Sequence, residues 1–90
     1  MSETLNHFTT SNFWQNYHQL PLTIQKIADQ KYQLLKQNPY HPSLKLKKIG
    51  DLWSVRVTKN YRSLGINESE GILWFWIGDH QEYEQILSNL

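Results

Sequence analysis

The chain predicts an α+β fold, a helical hairpin packed on a twisted antiparallel sheet of about four strands, with a short C-terminal helix. Three observations predict it. Apolar residues recur at helical spacing up to about residue 37, they alternate with polar residues after residue 44, and turn-forming pairs divide that second half at short intervals. The change of period falls at Asn38-Pro39-Tyr40-His41-Pro42-Ser43, where two prolines in six residues exclude helix and demand an extended loop. Ninety residues make one domain, 1–90, with a single core.

Taken in order, Thr4 to Thr9 reads as a short strand. Ser11 is placed to cap a helix in which Phe13, Trp14, Tyr17 and Leu20 form one apolar stripe. Pro21 stops that helix and suits the first turn of the next. There Ile24, Ile27, Ala28, Leu34 and Leu35 continue an apolar face to about Gln37, with Lys26, Lys31 and Lys36 pointing mostly elsewhere. Leu44-Lys45-Leu46-Lys47 alternates apolar and basic residues, the pattern of a strand with one wet face. Gly50-Asp51 turns into Leu52 to Thr58, with Trp53, Val55 and Val57 on one face and Ser54 and Arg56 on the other. Lys59-Asn60 turns into Tyr61 to Asn67. Glu68-Ser69-Glu70-Gly71 turns into Ile72 to Ile77, apolar on both faces and therefore central. Gly78-Asp79 ends that strand, and Gln81 to Leu90 closes the chain as a helix with Tyr83, Ile86, Leu87 and Leu90 on one face. Helices followed by a meander make a two-layer sandwich.

Composition excludes several function classes. The chain has no Cys, so neither a disulfide framework nor a thiolate metal site is available. His7, His18 and His41 show no ligand spacing, and no metal or other cofactor is expected. The longest apolar run, Ile72 to Ile77, is too short for a membrane span, and no secretory signal is visible, so a cytoplasmic protein without a membrane partner is expected. Four Trp and five Tyr thicken the core of so small a domain.

Net charge is +1, but its distribution is uneven. Between His41 and Ile66, Lys45, Lys47, Lys48, Arg56, Lys59 and Arg62 stand against Asp51 alone. From Asn67 onward there are Glu68, Glu70, Asp79, Glu82 and Glu84 and no Lys or Arg. A basic middle can present one cationic face, as a phosphate backbone requires. The same lysines also suit a sheet edge that must resist aggregation.

Arg56 and Arg62 are the most informative pair. A three-residue hairpin loop, Thr58-Lys59-Asn60, pairs Val57 with Tyr61 and sets Arg56 directly opposite Arg62. Like charges so placed destabilise a sheet and are tolerated where an anion sits between the guanidiniums. A two-residue loop, Lys59-Asn60, shifts the register by one and puts the arginines on opposite faces. The plainer alternative is that both reach water or pair with the C-terminal acids. His80 stands at the end of the buried strand, where a group that ordinarily titrates near 6.5 can exchange protons at neutral pH. Tyr83 lies three residues on and projects close to it; the plainer alternative is a capping histidine and a core tyrosine. Trp53, Trp74, Trp76 and Tyr40 could stack on bases, yet at strand spacing such residues are more often core.

In order along the chain, Asn38-Pro39-Tyr40-His41-Pro42-Ser43-Leu44-Lys45, Leu52-Trp53-Ser54-Val55-Arg56-Val57, Asn60-Tyr61-Arg62 and Trp76-Ile77-Gly78-Asp79-His80-Gln81-Glu82-Tyr83 resemble the RelE/ParE superfamily of bacterial toxins. The Leu20-Pro21 joint between two helices fits the same pattern. The resemblance implies a RelE-like fold and a type II toxin–antitoxin role, with a cognate antitoxin, the ribosome and mRNA as partners. It implies metal-independent endoribonuclease chemistry in which the RNA 2′-oxygen attacks the adjacent phosphate. Carried over to this chain, Arg56 and Arg62 stabilise the phosphate and His80 gives a proton to the leaving 5′-oxygen. Tyr83 orients the scissile nucleotide, and the lysines of the basic middle, Lys45, Lys47, Lys48 and Lys59, hold flanking phosphates. Two departures stand out. Pro42 and Ser43 occupy the region where some members carry a carboxylate base, and Asp79, Glu82 and Glu84 surround His80 where RelE-type members are usually basic. The rival readings are a ParE-like, non-enzymatic inhibitor of DNA gyrase, and a weakened toxin whose remaining work is antitoxin-bound repression.

Overall fold

In the computed structural model, which describes residues 6–90, the elements follow the order β1 (Asn6–Thr9), α1 (Ser11–Tyr17), α2 (Leu22–Gln37), a 3-10 turn (Pro42–Leu44), β2 (Lys47–Ile49), β3 (Leu52–Thr58), β4 (Tyr61–Glu68), β5 (Gly71–Asp79) and α3 (His80–Ser88). The five strands form one sheet in the order β1-β5-β4-β3-β2. All neighbours are antiparallel except β1, which lies parallel to β5 with His7 opposite Ile72 and Thr9 opposite Trp74. The α+β class, the helical pair and the closing helix are as the sequence predicts. The sheet has five strands rather than about four because the N-terminal segment joins its edge; Thr4 and Leu5 of the predicted strand lie outside the described residues.

Local chemistry accounts for the boundaries. Thr10, not Ser11, caps α1, its hydroxyl accepting from the Phe13 N–H at 3.0 Å. The helix ends at Tyr17 rather than Leu20, and Pro21 then leads into α2. The Tyr17 hydroxyl donates to Asp29 Oδ1 at 2.6 Å and joins the two helices; burial and this bond push its pKa up to about 12. The predicted strand Leu44–Lys47 is corrected. His41 accepts from the Ser43 N–H and folds Pro42–Leu44 into a 3-10 turn, Lys45 leaves it at φ 45°, and β2 begins only at Lys47.

Strand alternation, reset in β5 by an extra residue at Phe75 where the register with β4 shifts, sorts the side chains onto two faces. Val55, Val57, Ile72, Trp74 and Ile77 face α1 and α2 and pack with Leu20, Ala28 and Leu35. Leu52, Leu64 and Trp76 face the other way, where α3 lays Tyr83, Ile86 and Leu87 on them. Thus α3 adds a short third layer to the predicted two. Burying an apolar side chain of this size contributes about 1.5–3 kcal/mol, so these few contacts suffice to hold a nine-residue helix. Trp74 and Trp76, 2% and 6% exposed, are core residues and not free to stack on bases.

Candidate phosphate-binding site

The β3–β4 hairpin sets the position of the two arginines. Its loop is Lys59-Asn60, since Thr58 pairs with Tyr61, and the register shifts between Arg56 and Thr58. Val57 is the extra residue of a bulge, and that residue restores the parity a two-residue loop would otherwise reverse. Arg56 and Arg62 are therefore Cα partners. Both alternate with residues that face α2, so both side chains lie on the α3 face.

Arg62 is held in place. Its Nη1 donates to the carbonyls of Thr58, Lys59 and Tyr61, all in or beside the hairpin loop. Its Cζ lies 6.0 Å from the centre of the Tyr83 ring. A guanidinium carries five N–H donors, and those on Nε and Nη2 make no protein hydrogen bond among the described residues. Burial, and then the charge of Arg56, lower the Arg62 pKa from its ordinary value, and Glu84 acts in the opposite sense. The two cations thus feel each other across the strand pair.

His80 reaches the same end of the sheet. Its backbone N–H donates to Asn60 O at 2.7 Å, which pins the start of α3 to the hairpin loop. The cap is Asp79, whose side chain accepts from the Glu82 N–H at 2.8 Å, so His80 is the first helical residue rather than the cap. The His80 side chain is 45% exposed, with Nε2 3.9 Å from Glu84 Oε2 and its ring centre 5.4 Å from that of Tyr83. Tyr83 is thus the shared neighbour of Arg62 and His80. It is itself only 3% exposed, with its hydroxyl 2.8 Å from Ser54 Oγ. The resemblance gives Tyr83 the orienting of the scissile nucleotide, and its burial leaves the ring little surface to do so directly.

The lysines separate. Lys47 is the Cα partner of Ser54 and so shares the arginine face, two residues along β3 from Arg56. Lys59 is exposed in the hairpin loop beside them. Lys48 pairs with Trp53 on the opposite face, its Nζ 5.6 Å from the indole ring. Lys45 stands in the turn ahead of β2, off the sheet. One continuous cationic strand face is therefore corrected to a cluster of Arg56, Arg62, Lys47 and Lys59.

Two residues of this site were not singled out from sequence. Ser54 is a small polar residue between Leu52 and Arg56 on the α3 face of β3, and nothing in the local sequence marks it as buried. Gly78, the Cα partner of Arg62, allows close packing: a Cβ there would lie 2.5 Å from Trp76 Cζ2 and 3.2 Å from Glu82 Oε1. Among the described residues no group of three His, Asp or Glu is placed to hold a metal ion, and no helix is long and apolar enough to cross a membrane.

Comparison with known proteins places the chain in a family. No curated protein sequence matches the chain. Among solved structures it is similar to a chain of a RelB–RelE antitoxin–toxin complex from Methanococcus jannaschii, at 19% identity and TM-score 0.65 over 88% of this chain and 96% of that one. It is similar to the Escherichia coli DinJ–YafQ toxin–antitoxin complex, at 8% identity and TM-score 0.68, covering 88% and 96%. A YoeB/ParE toxin from Agrobacterium tumefaciens gives 14% identity and TM-score 0.64, covering 84% and 99%. At these identities the likeness is one of fold. The profile of the ParE-like toxin domain matches residues 22–85, from α2 into α3 and across the whole hairpin site, and the chain belongs to that family of the RelE/ParE toxin superfamily.

Proposed function

We propose that the protein is the toxin of a toxin–antitoxin pair and that it cleaves mRNA on the ribosome. The observation that carries the reading is the facing of Arg56 and Arg62, with His80 anchored to the same hairpin loop. Two cations on facing backbone positions, one of them tied to the hairpin loop, fit a group whose charge grows during reaction, and a phosphodiester attacked by its own 2′-oxygen is such a group. The 2′-hydroxyl gives its proton to solvent water as its oxygen bonds to phosphorus and the bond to the 5′-oxygen breaks, leaving a 2′,3′-cyclic phosphate and a 5′-hydroxyl. Arg56 and Arg62 stabilise the crowded phosphoryl oxygens. His80, exposed at the rim, delivers a proton to the leaving 5′-oxygen. Lys47 and Lys59 take flanking phosphates. Tyr83 packs beside Arg62 and His80 and supports both.

The partner proposed is a cognate antitoxin, since two similar structures are complexes named for the antitoxins RelB and DinJ. The surface to be covered is the arginine cluster, because occluding it blocks phosphate access. A second reading, a ParE-like inhibitor of DNA gyrase, draws on the ParE-like family and on Glu84, whose charge acts on Arg62. Induced expression separates the two. Arrest of translation with mRNA cut within codons supports the nuclease, whereas DNA damage and filamentation with intact mRNA support the inhibitor. Absence of both effects, with antitoxin binding retained, would leave the weakened, antitoxin-binding module.

A further inference from the structure

One polar contact in the apolar layer under α3 is not required by packing. Ser54 and Tyr83 are 2% and 3% exposed, and their hydroxyls meet at 2.8 Å within the cluster of Leu52, Leu64 and Trp76. A Phe over an Ala would fill nearly the same space with no hydroxyl to satisfy. A buried hydroxyl pair returns little net stability, because each group gives up water to make the bond. What the pair adds is direction. It joins the far end of the tyrosine ring to a β3 residue two positions from Arg56, and so sets how the ring lies between helix and sheet. That ring has both candidate functional side chains of the hairpin end as neighbours, Arg62 Cζ at 6.0 Å and the His80 ring at 5.4 Å.

We propose that Ser54 and Tyr83 are positioning residues, whose hydroxyl bond fixes the surface against which the Arg62 guanidinium and the His80 imidazole are held. Neither touches RNA. The catalytic consequence rests on the nuclease reading above; the geometric statement does not. Ser54 Oγ sets the ring, the ring sets the two side chains, and these meet the phosphate and the leaving oxygen. Displacements of about 1 Å at such groups are enough to slow a reaction severely.

The test is the double variant Ser54→Ala/Tyr83→Phe, compared with each single variant. Each single change strands one buried hydroxyl and can unfold the protein. The double change strands none, so it is expected to melt close to wild type. Three quantities are read: the melting temperature, the NMR signals of Arg62 Nε–Hε and of the His80 ring, and single-turnover cleavage of mRNA on programmed ribosomes. In the double variant the Arg62 and His80 signals are expected to shift and broaden as the ring loses its anchor. Cleavage is expected to slow roughly tenfold or more, with the half-saturating ribosome concentration unchanged. A residue of purely structural importance would regain full activity together with stability, and a double variant that cuts at the wild-type rate overturns the catalytic part. Unmoved Arg62 and His80 signals overturn the positioning part, whatever the rate. If wild type itself cuts no mRNA the nuclease reading fails, and the NMR comparison alone decides whether Ser54 and Tyr83 position the two side chains.

Discussion

Arg56 and Arg62 face each other as Cα partners across the β3–β4 hairpin, on the side of the sheet that carries α3. The arrangement costs stability, because like charges directly opposite repel and each guanidinium raises the cost of keeping the other ionised. Arg62 shows the effect as a lowered pKa, caused first by burial and then by Arg56. A protein under no demand but to fold gains nothing by keeping both.

Replacing one of the pair is therefore expected to stabilise the protein while removing its activity. Arg56→Gln should raise stability by about 0.2–1 kcal/mol in denaturant unfolding. Inorganic phosphate should raise the melting temperature of wild type and have less effect on the variant, since the shared anion site is lost. Arg62→Ala at equal expression should abolish toxicity, as loss of a fixed cation at developing charge costs roughly 3–4 kcal/mol of barrier. A stable, fully toxic Arg62→Ala protein would remove the main support for the nuclease.

His80→Gln tests the proton donor separately. Its backbone N–H is bound to Asn60 O whatever the side chain, so α3 should keep its start. Single-turnover cleavage should slow by about 10²–10⁴-fold, with ribosome and antitoxin affinities nearly unchanged. An unaltered rate would reduce His80 to a helix-start residue.

The N-terminal strand carries a pH dependence of its own. His7 Nδ1 accepts from Trp74 Nε1 at 3.1 Å, the rings stack at 6.3 Å, and Tyr32 of α2 meets the His7 ring edge-on at 6.4 Å. Burial, and then the charge of Lys36, hold the His7 pKa below its ordinary 6.5. A proton on Nδ1 would set N–H against N–H. The folded protein therefore binds this proton less readily than the unfolded chain. Its contribution to stability is complete above pH 6.5 and is lost as pH falls through the lower folded value. Wild type should lose stability on acidification more steeply than His7→Gln, by at most about 1.4 kcal/mol per pH unit. Parallel slopes in urea unfolding at several pH values would contradict this.

Much of this was legible in the sequence, and the misses share a cause. The facing of the arginines was legible as one of two registers, because the loop could be two residues or three. What decides it is a bulge at Val57, and neither Val57 nor Thr58 carries the glycine that often announces one. The alternation at Leu44–Lys47 suggested a strand, but a two-residue contact between His41 and Ser43 turns the chain first. The partner of β1 lies some 65 residues away in sequence (Asn6 with Gly71), beyond any local pattern. Tyr83 was legible as a neighbour of His80 on one helix, whereas its bond to Ser54 spans 29 positions and fixes it as a buried support.

Gly78 gives the last test, because it joins the arginine row to α3. It is the Cα partner of Arg62, and a Cβ at this position would lie 2.5 Å from Trp76 Cζ2 and 3.2 Å from Glu82 Oε1. The first distance is too short for any contact. Trp76 is 6% exposed and stacks on Tyr83 at 6.5 Å, so its ring cannot move without moving the tyrosine. Gly78→Ala should therefore cost about 1–3 kcal/mol as an overpacking change, with the strain passed through Trp76 and Tyr83 to Arg62 and His80. The expected result is a lower melting temperature together with shifted Tyr83 ring signals. Cleavage at low temperature, where the variant is still folded, should be slower than wild type. A Gly78→Ala protein that is less stable yet cuts at the full rate would show that the sheet absorbs the strain before it reaches the site.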